Sequence, residues 1–189
     1  WSLAESISFA VGDSSLHVPD LRLVSEQGSL AAHGSWRRGR SVDGGLQLRR
    51  FDLGLLNPFL RGGTLSGLAT AEGTIAGTPG APRVSLEAAV AGCDLGPARV
   101  DSLFLRADLQ EGRIRLERLD LRSDRGRLLG SGEVAHPGVD VREFWPGAAL
   151  RLRLEIQDGD WGLLERFRLP SLDRLAGRYQ GSFELDGTT

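Results

Sequence analysis

Apolar and polar residues alternate one for one along most of this chain. Leu150, Leu152, Leu154 and Ile156 are interleaved with Arg151, Arg153 and Glu155. Successive side chains of a β-strand point to opposite faces, so this spacing predicts a strand with one aliphatic and one charged face. The same period runs through Ile7, Phe9 and Val11; Leu46 and Leu48; Leu103, Leu105, Ala107 and Leu109; Ile114 and Leu116; and Tyr179, Phe183 and Leu185. Turn formers punctuate these runs at Gly12–Asp13, Gly44–Gly45, Gly62–Gly63, Gly77–Thr78–Pro79–Gly80, Glu111–Gly112, Arg125–Gly126 and Pro137–Gly138. Residues 103–109 and 113–121 flank one such signal as a β-hairpin, with Gly112 supplying the positive φ its turn needs. Parallel pairing would require long helical crossovers, and none is visible, so the expectation is an antiparallel meander.

Two segments break the alternation. Residues 51–61 and 158–168 carry apolar positions at mixed i, i+3 and i+4 spacing, which predicts short helices packed on the sheet as plugs or end caps. Asp160 suits the start of the second helix and Arg166 or Arg168 its end, in the sense of the helix dipole. In the first segment Pro58 restricts Asn57 and so disfavours a regular helix, unless it falls in the first turn.

The chain also repeats itself. The run Leu21 to Leu30, with Gly28, Gly34 and Trp36, returns as Leu119 to Leu128, with Gly126, Gly132 and Val134, at one offset (119 − 21 = 98). Gly54, Leu55 and Leu56 return as Gly162, Leu163 and Leu164 (162 − 54 = 108), and Gly67, Ile75, Gly77 and Thr78 as Gly177, Leu185, Gly187 and Thr188 (177 − 67 = 110). Self-similarity at a long period is the mark of stacked supersecondary units that build an extended surface instead of one catalytic pocket. The expected organisation is one elongated β-segment of two units, 1–98 and 99–189. A chain that opens on Trp1 and contains no Met is expected to be an internal piece of a longer protein.

Charge and candidate chemistry narrow the function. All 23 basic residues are Arg, against 25 acidic ones, giving a net charge of −2. That balance lacks the basic excess a nucleic-acid surface needs. Cys93 is the single cysteine, which excludes an internal disulfide or a cysteine-based zinc cluster. His17, His33 and His136 show none of the short spacings of a metal or nucleophile motif. Acidic residues alternate with Arg, as through Glu117, Arg118, Asp120, Arg122 and Asp124, the pattern of a solvated sheet face with cross-strand pairs. Gly130 and Gly132 sit inside a strand pattern with no helix following. They predict bulges, bends or close backbone approach in place of a phosphate loop. No catalytic residues, metal or cofactor are expected, and the chain reads as a non-enzyme.

The remaining signal is the aliphatic face. It fits either a closed sandwich or barrel, where it is simply core, or a sheet that curls without closing and leaves a trough. The glycine and alternation pattern of Gly67 to Gly77 with Pro79, Pro82 and Val84, followed by Leu105 to Leu116 with Gly112 and by Leu128, Gly130, Gly132 and Val134, resembles the repeats of the TamB branch of the AsmA-like proteins. The resemblance covers nearly the whole chain. It implies a mainly β fold, an elongated, curved antiparallel meander shaped as a half-pipe or β-taco with one or two short helices. It further implies a periplasmic segment of an envelope-spanning parent that is anchored in the inner membrane. Its hydrophobic groove would conduct phospholipids to the outer membrane, beside an assembly partner of the TamA/BamA kind met by other parts of the parent. The implied groove residues, matched by alternation, are Leu103, Leu105, Leu109, Ile114, Leu116, Leu150, Leu152, Leu154 and Ile156, contacting phospholipid acyl chains. A scaffold that pairs its sheet edge with unfolded outer-membrane strands is the alternative, and end-to-end or edge-strand pairing of two copies is a further expectation.

Overall fold

The alternation builds a single antiparallel sheet. The structure, a computed structural model, describes residues 2–3, 10–59, 65–95, 98–135, 149–160 and 178–188. Among these, twelve strands follow one another in chain order: β1 (Ser2–Leu3), β2 (Ala10–Gly12), β3 (Ser15–Val24), β4 (Ser29–Arg37), β5 (Ser41–Asp52), β6 (Leu68–Thr78), β7 (Ala81–Leu95), β8 (Ala98–Gln110), β9 (Arg113–Ser123), β10 (Gly126–Ala135), β11 (Ala149–Asp160) and β12 (Arg178–Thr188). From β3 to β12 each strand pairs with the next, while β1 and β2 share the lane beside β3. The order is open, ending on that lane at one side and on β12 at the other. The fold is therefore a mainly β, curved, unclosed meander: the antiparallel meander is what the alternation and the missing crossovers predicted, and of the closed and open forms that the aliphatic face left possible, the open one is found.

Four bulges shape the sheet, and all obey one rule. The register slips by one residue between Val18 and Leu21 in β3, Leu48 and Phe51 in β5, Leu116 and Leu119 in β9, and Ile156 and Gly159 in β11. Each extra residue adds a second consecutive polar-face position, such as Arg49 with Arg50 or Glu117 with Arg118. The aliphatic residues on either side therefore stay on their own face. Bulges also raise local twist and bend the strand that carries them.

The sequence repeat is visible in the turns. In the β3–β4 turn the Ser25 hydroxyl accepts from the Gly28 N–H at 3.0 Å and donates to the Gly28 carbonyl at 3.2 Å. In the β9–β10 turn Ser123 takes the same place, donating to the Gly126 carbonyl at 3.3 Å. Each of these glycines presses on the bulge of the following strand. A Cβ on Gly28 would lie 2.4 Å from the Arg50 carbonyl oxygen, and one on Gly126 would lie 2.6 Å from the Gly159 Cα. The bulge residues Arg50 and Asp158 both carry positive φ, 49° and 50°.

Three sequence expectations need correction or completion. Gly44–Gly45 is not a turn; both residues lie inside β5, opposite Gly34 and His33 on β4. The glycines serve steric needs there, since a Cβ on Gly45 would meet the His33 imidazole at 2.6 Å and one on Gly44 the His33 carbonyl at 2.8 Å. The first predicted helix is a short 3-10 helix, Leu53–Phe59, with Pro58 inside it. Asp52 caps it by accepting from the Gly54 N–H at 2.8 Å, and the Asn57 amide holds Leu65 through both its backbone N–H and its carbonyl, at 2.7 and 3.0 Å. The second predicted helix, the signal at Gly62–Gly63 and that at Pro137–Gly138 lie outside the described residues. The hairpin turn at 111–112 uses positive φ at both Glu111 (52°) and Gly112 (72°), the backbone of a two-residue turn matched to strand twist.

The tucked glycines yield a stability test. Gly28→Ala should lower unfolding free energy by about 1–3 kcal/mol through forced displacement of the β5 bulge. Gly80→Ala, where a Cβ meets nothing within 4 Å, should change it by less than about 0.5 kcal/mol. Urea denaturation followed by circular dichroism measures both, and equal effects would refute the tucked contact.

Candidate functional site: the aliphatic face of the sheet

The pairing register turns the alternation of separate strands into ladders that cross the sheet. One ladder runs Leu21, Ala32, Leu46, Gly73, Leu86, Ala107, Leu116, Gly132, Leu152 and Leu185, one residue from each of ten consecutive strands. Beside it runs Leu23, Leu30, Leu48, Ala71, Ala88, Leu105, Leu119, Gly130, Leu154 and Phe183. No ionisable residue interrupts either ladder. The face is thus a continuous aliphatic band from β3 to β12.

All nine sequence-predicted groove residues fall on this band. Leu109 pairs with Ile114, Leu103 with Leu121 and Leu105 with Leu119. Leu116 and Leu152 meet across Gly132, Ile114 and Leu150 across Val134, and Leu154 and Ile156 oppose Gly130 and Leu128. Eight of the nine are half-buried. Ile156 differs, being 2 % exposed and packed with Leu128 in a cluster that Leu119, Leu121 and Leu154 flank. At this point the band covers itself.

Elsewhere the described residues of the band are for the most part half-buried and not closed over. Only Ala69, Cys93, Val100, Leu128 and Ile156 are buried apolar residues among those described. A sheet of this size closed into a sandwich or barrel would bury a full row of side chains from every strand. Leu16, Trp36, Leu46, Phe183 and Leu185 are instead exposed.

Sequence reasoning placed its candidates in the second half of the chain, whereas a mainly apolar open hollow lies in the first. Strands β3 to β7 line this hollow of about 570 Å³ with Leu16, Trp36, Leu46 and Ile75 and with the bare backbone of Gly34, Gly44 and Gly73. The signal was present as glycines at inward positions of three neighbouring strands. It becomes readable only once the register sets Gly34 directly opposite Gly44.

The other face is a charged lattice. Arg106 bridges Glu87 at 3.8 Å and Glu117 at 3.0 Å, Arg113 meets Glu133 at 2.9 Å, and Arg151 meets Asp186 at 3.4 Å. These pairs are solvent-exposed and each contributes at most about 1 kcal/mol. Asp120 is the exception. It is 5 % exposed, lies between Phe104 and Leu129 in the cross-strand register, and accepts from Arg127 at 2.6 and 2.8 Å and from Arg118 at 2.9 Å. Arg118 in turn stacks over the Phe104 ring at 5.1 Å. The hydrogen bonds from Arg127 hold the Asp120 carboxyl well below the usual carboxylate range; burial opposes this, and Arg118 reinforces it.

Among the described residues no group of three or more His, Cys, Asp and Glu could hold a metal ion. His17 and His33 are exposed on different strands, and His136 lies outside the described residues. The geometry offers nonpolar contact over a wide area.

Asp120 generates a pH-dependent prediction. Because its folded pKa is lowered, its contribution to stability is full above the unfolded value of about 4 and is lost as pH falls through the folded value. Asp120→Asn should therefore cost about 1–3 kcal/mol at pH 7, and the gap from the unsubstituted protein should narrow at about pH 2. Urea unfolding at the two pH values measures it. Compared with known proteins, the chain matches no family model, no curated protein and no solved structure.

Proposed function

We propose that this chain is a segment of a hydrophobic trough that conducts phospholipids, by their acyl chains, between the inner and outer membranes of a cell envelope. The observation that carries this reading is the aliphatic band itself, continuous over ten strands yet only half-buried and not closed into a core by the described part of the chain. Large apolar surface that stays accessible marks a ligand groove or an interface. Acyl chains laid on the band would be spared from water at roughly 25 cal/mol per Å². Such contacts have no direction, so a chain can slide from one ladder to the next. Head groups would remain hydrated at the open margin. The resemblance in the repeat pattern supplies the periplasmic setting, the inner-membrane anchor of a longer parent and the outer-membrane partner as parts of the same proposal.

A second reading draws on the sheet edge. β12 ends the hydrogen-bonded order, and its Phe183 and Leu185 are 46 % and 53 % exposed. An edge of this kind can accept an extended partner strand, as a scaffold for outer-membrane strands would. Photocrosslinkers at Leu152 and at Glu184 separate the two roles: lipid adducts from Leu152 support conduction, and protein adducts from Glu184 support scaffolding.

The trough reading predicts that phospholipid co-purifies with the chain and is recovered by organic extraction and mass spectrometry. Leu152→Asp should reduce bound lipid by about tenfold, by setting a carboxylate in the middle of the aliphatic band. Arg153→Asp, on the opposite face, should leave it unchanged. Equal retention by both variants, with circular dichroism showing both folded, would refute the reading.

A further inference from the structure

A hollow interrupts the charged lattice on the polar face. Over β6 to β8 the charged side chains give way to Thr70, Ala89, Ala91 and Ser102, with Phe104 beside them. The open hollow they leave is about 490 Å³, within the range of small-molecule sites, about 300–1,000 Å³. Arginines border it from both sides, Arg50 from β5 and Arg118 and Arg122 from β9. Arg50 and Arg118 both sit in bulges, and a bulge re-aims the side chain that it carries. Asp120 is the one carboxylate among the described residues that line the hollow. Three arginines against one carboxylate leave an excess of two positive charges, on a chain whose net charge is −2.

Asp120 gathers the arginines without saturating them. Arg127 donates to it twice and Arg118 once, while Arg122 Nε stands 3.6 Å away, beyond hydrogen-bond reach. A guanidinium carries five N–H donors, and the side chains of Arg118 and Arg122 are both 57 % exposed. Donors therefore remain for a ligand in the hollow. Arg118 is already ordered between Asp120 and the Phe104 ring, so it loses little freedom on binding. We propose that Arg118 and Arg122, with the Ser102 hydroxyl opposite Arg122 in the register and Arg50 across the hollow, bind the dianion of a phosphate monoester. Two features select that class. Guanidinium forks match the paired oxygens of a phosphate. A phosphate monoester, unlike a carboxylate or a phosphate diester, also carries a charge near −2 at pH 7, which balances the excess. Ala89, Ala91 and Phe104 leave apolar floor for the organic part of the ester. The site lies on the face opposite the aliphatic band and is independent of lipid conduction there.

The test titrates the 189-residue chain with glycerol 3-phosphate in a calorimeter at low ionic strength, where screening is weak. A second arm asks whether the same group is taken from a membrane. It measures flotation with phosphatidylcholine vesicles that carry either phosphatidic acid, a monoester, or phosphatidylglycerol, a diester. The expected result is glycerol 3-phosphate binding with a Kd of about 1 mM or below, weakened about tenfold or more by Arg122→Ala. Arg122 is exposed, so that variant keeps its fold, and circular dichroism checks it. Arg151→Ala removes another exposed arginine of the same face, away from the hollow, and should change the affinity by less than about twofold. If glycerol 3-phosphate does not bind but phosphatidic acid vesicles float the chain in an Arg122-dependent way, the site stands, with a lipid headgroup as its source. Equal losses in the two variants overturn it, by showing only the general field of the face. Arg122-dependent flotation as strong with phosphatidylglycerol as with phosphatidic acid overturns the monoester class. Binding of neither ligand, or binding that survives Arg122→Ala, overturns the site altogether.

Discussion

Everything in this protein depends on keeping the phase of a period-two pattern across a sheet of twelve strands. A slip of one residue in any strand would send its leucines into water and its arginines onto the aliphatic band. The chain nevertheless contains four such slips, and each is a bulge that places two consecutive polar-face residues together. Val18 and Leu21, Leu48 and Phe51, and Leu116 and Leu119 are three residues apart yet share a face. Bending the sheet and preserving its two chemistries are thus achieved by the same local device.

The hairpin tips reinforce that device. Gly28 and Gly126 lean on the positive-φ bulges at Arg50 and Asp158, so a turn between two strands also braces the third. The recurrence of this three-strand contact explains why Ser25 and Gly28 return as Ser123 and Gly126. The band residues Leu21, Leu23 and Leu30 return as well, as Leu119, Leu121 and Leu128, whereas Gly44 and Leu152 show how far other corresponding band positions diverge.

The two faces stabilise the sheet by different means. The polar face contributes many weak exposed ion pairs and one buried one, in which Asp120 holds Arg127 and Arg118, the latter over the Phe104 ring. The aliphatic face contributes lateral contacts between ladder neighbours and a compact knot at Leu128 and Ile156. Because so little of the band is fully buried among the described residues, its apolar surface remains available for a ligand. The surface proposed to carry lipid is the same one that a closed fold would have used as its core.

Strand character, antiparallel order and the separation of faces were legible in the sequence, because between bulges side-chain direction in a strand follows residue parity. The turns at Asp13, Pro79–Gly80 and Glu111–Gly112 were legible too, and so was the membership of Leu103 through Ile156 in a single face. Gly44–Gly45 was misread as a turn because glycine marks both positive φ and missing side-chain volume, and only the neighbouring strands show which is required. Register, bulge position and the hollow beside Trp36 were decided by tertiary structure alone. Each depends on which residue of one strand lies opposite which residue of the next, a relation between segments that no pattern within one strand contains.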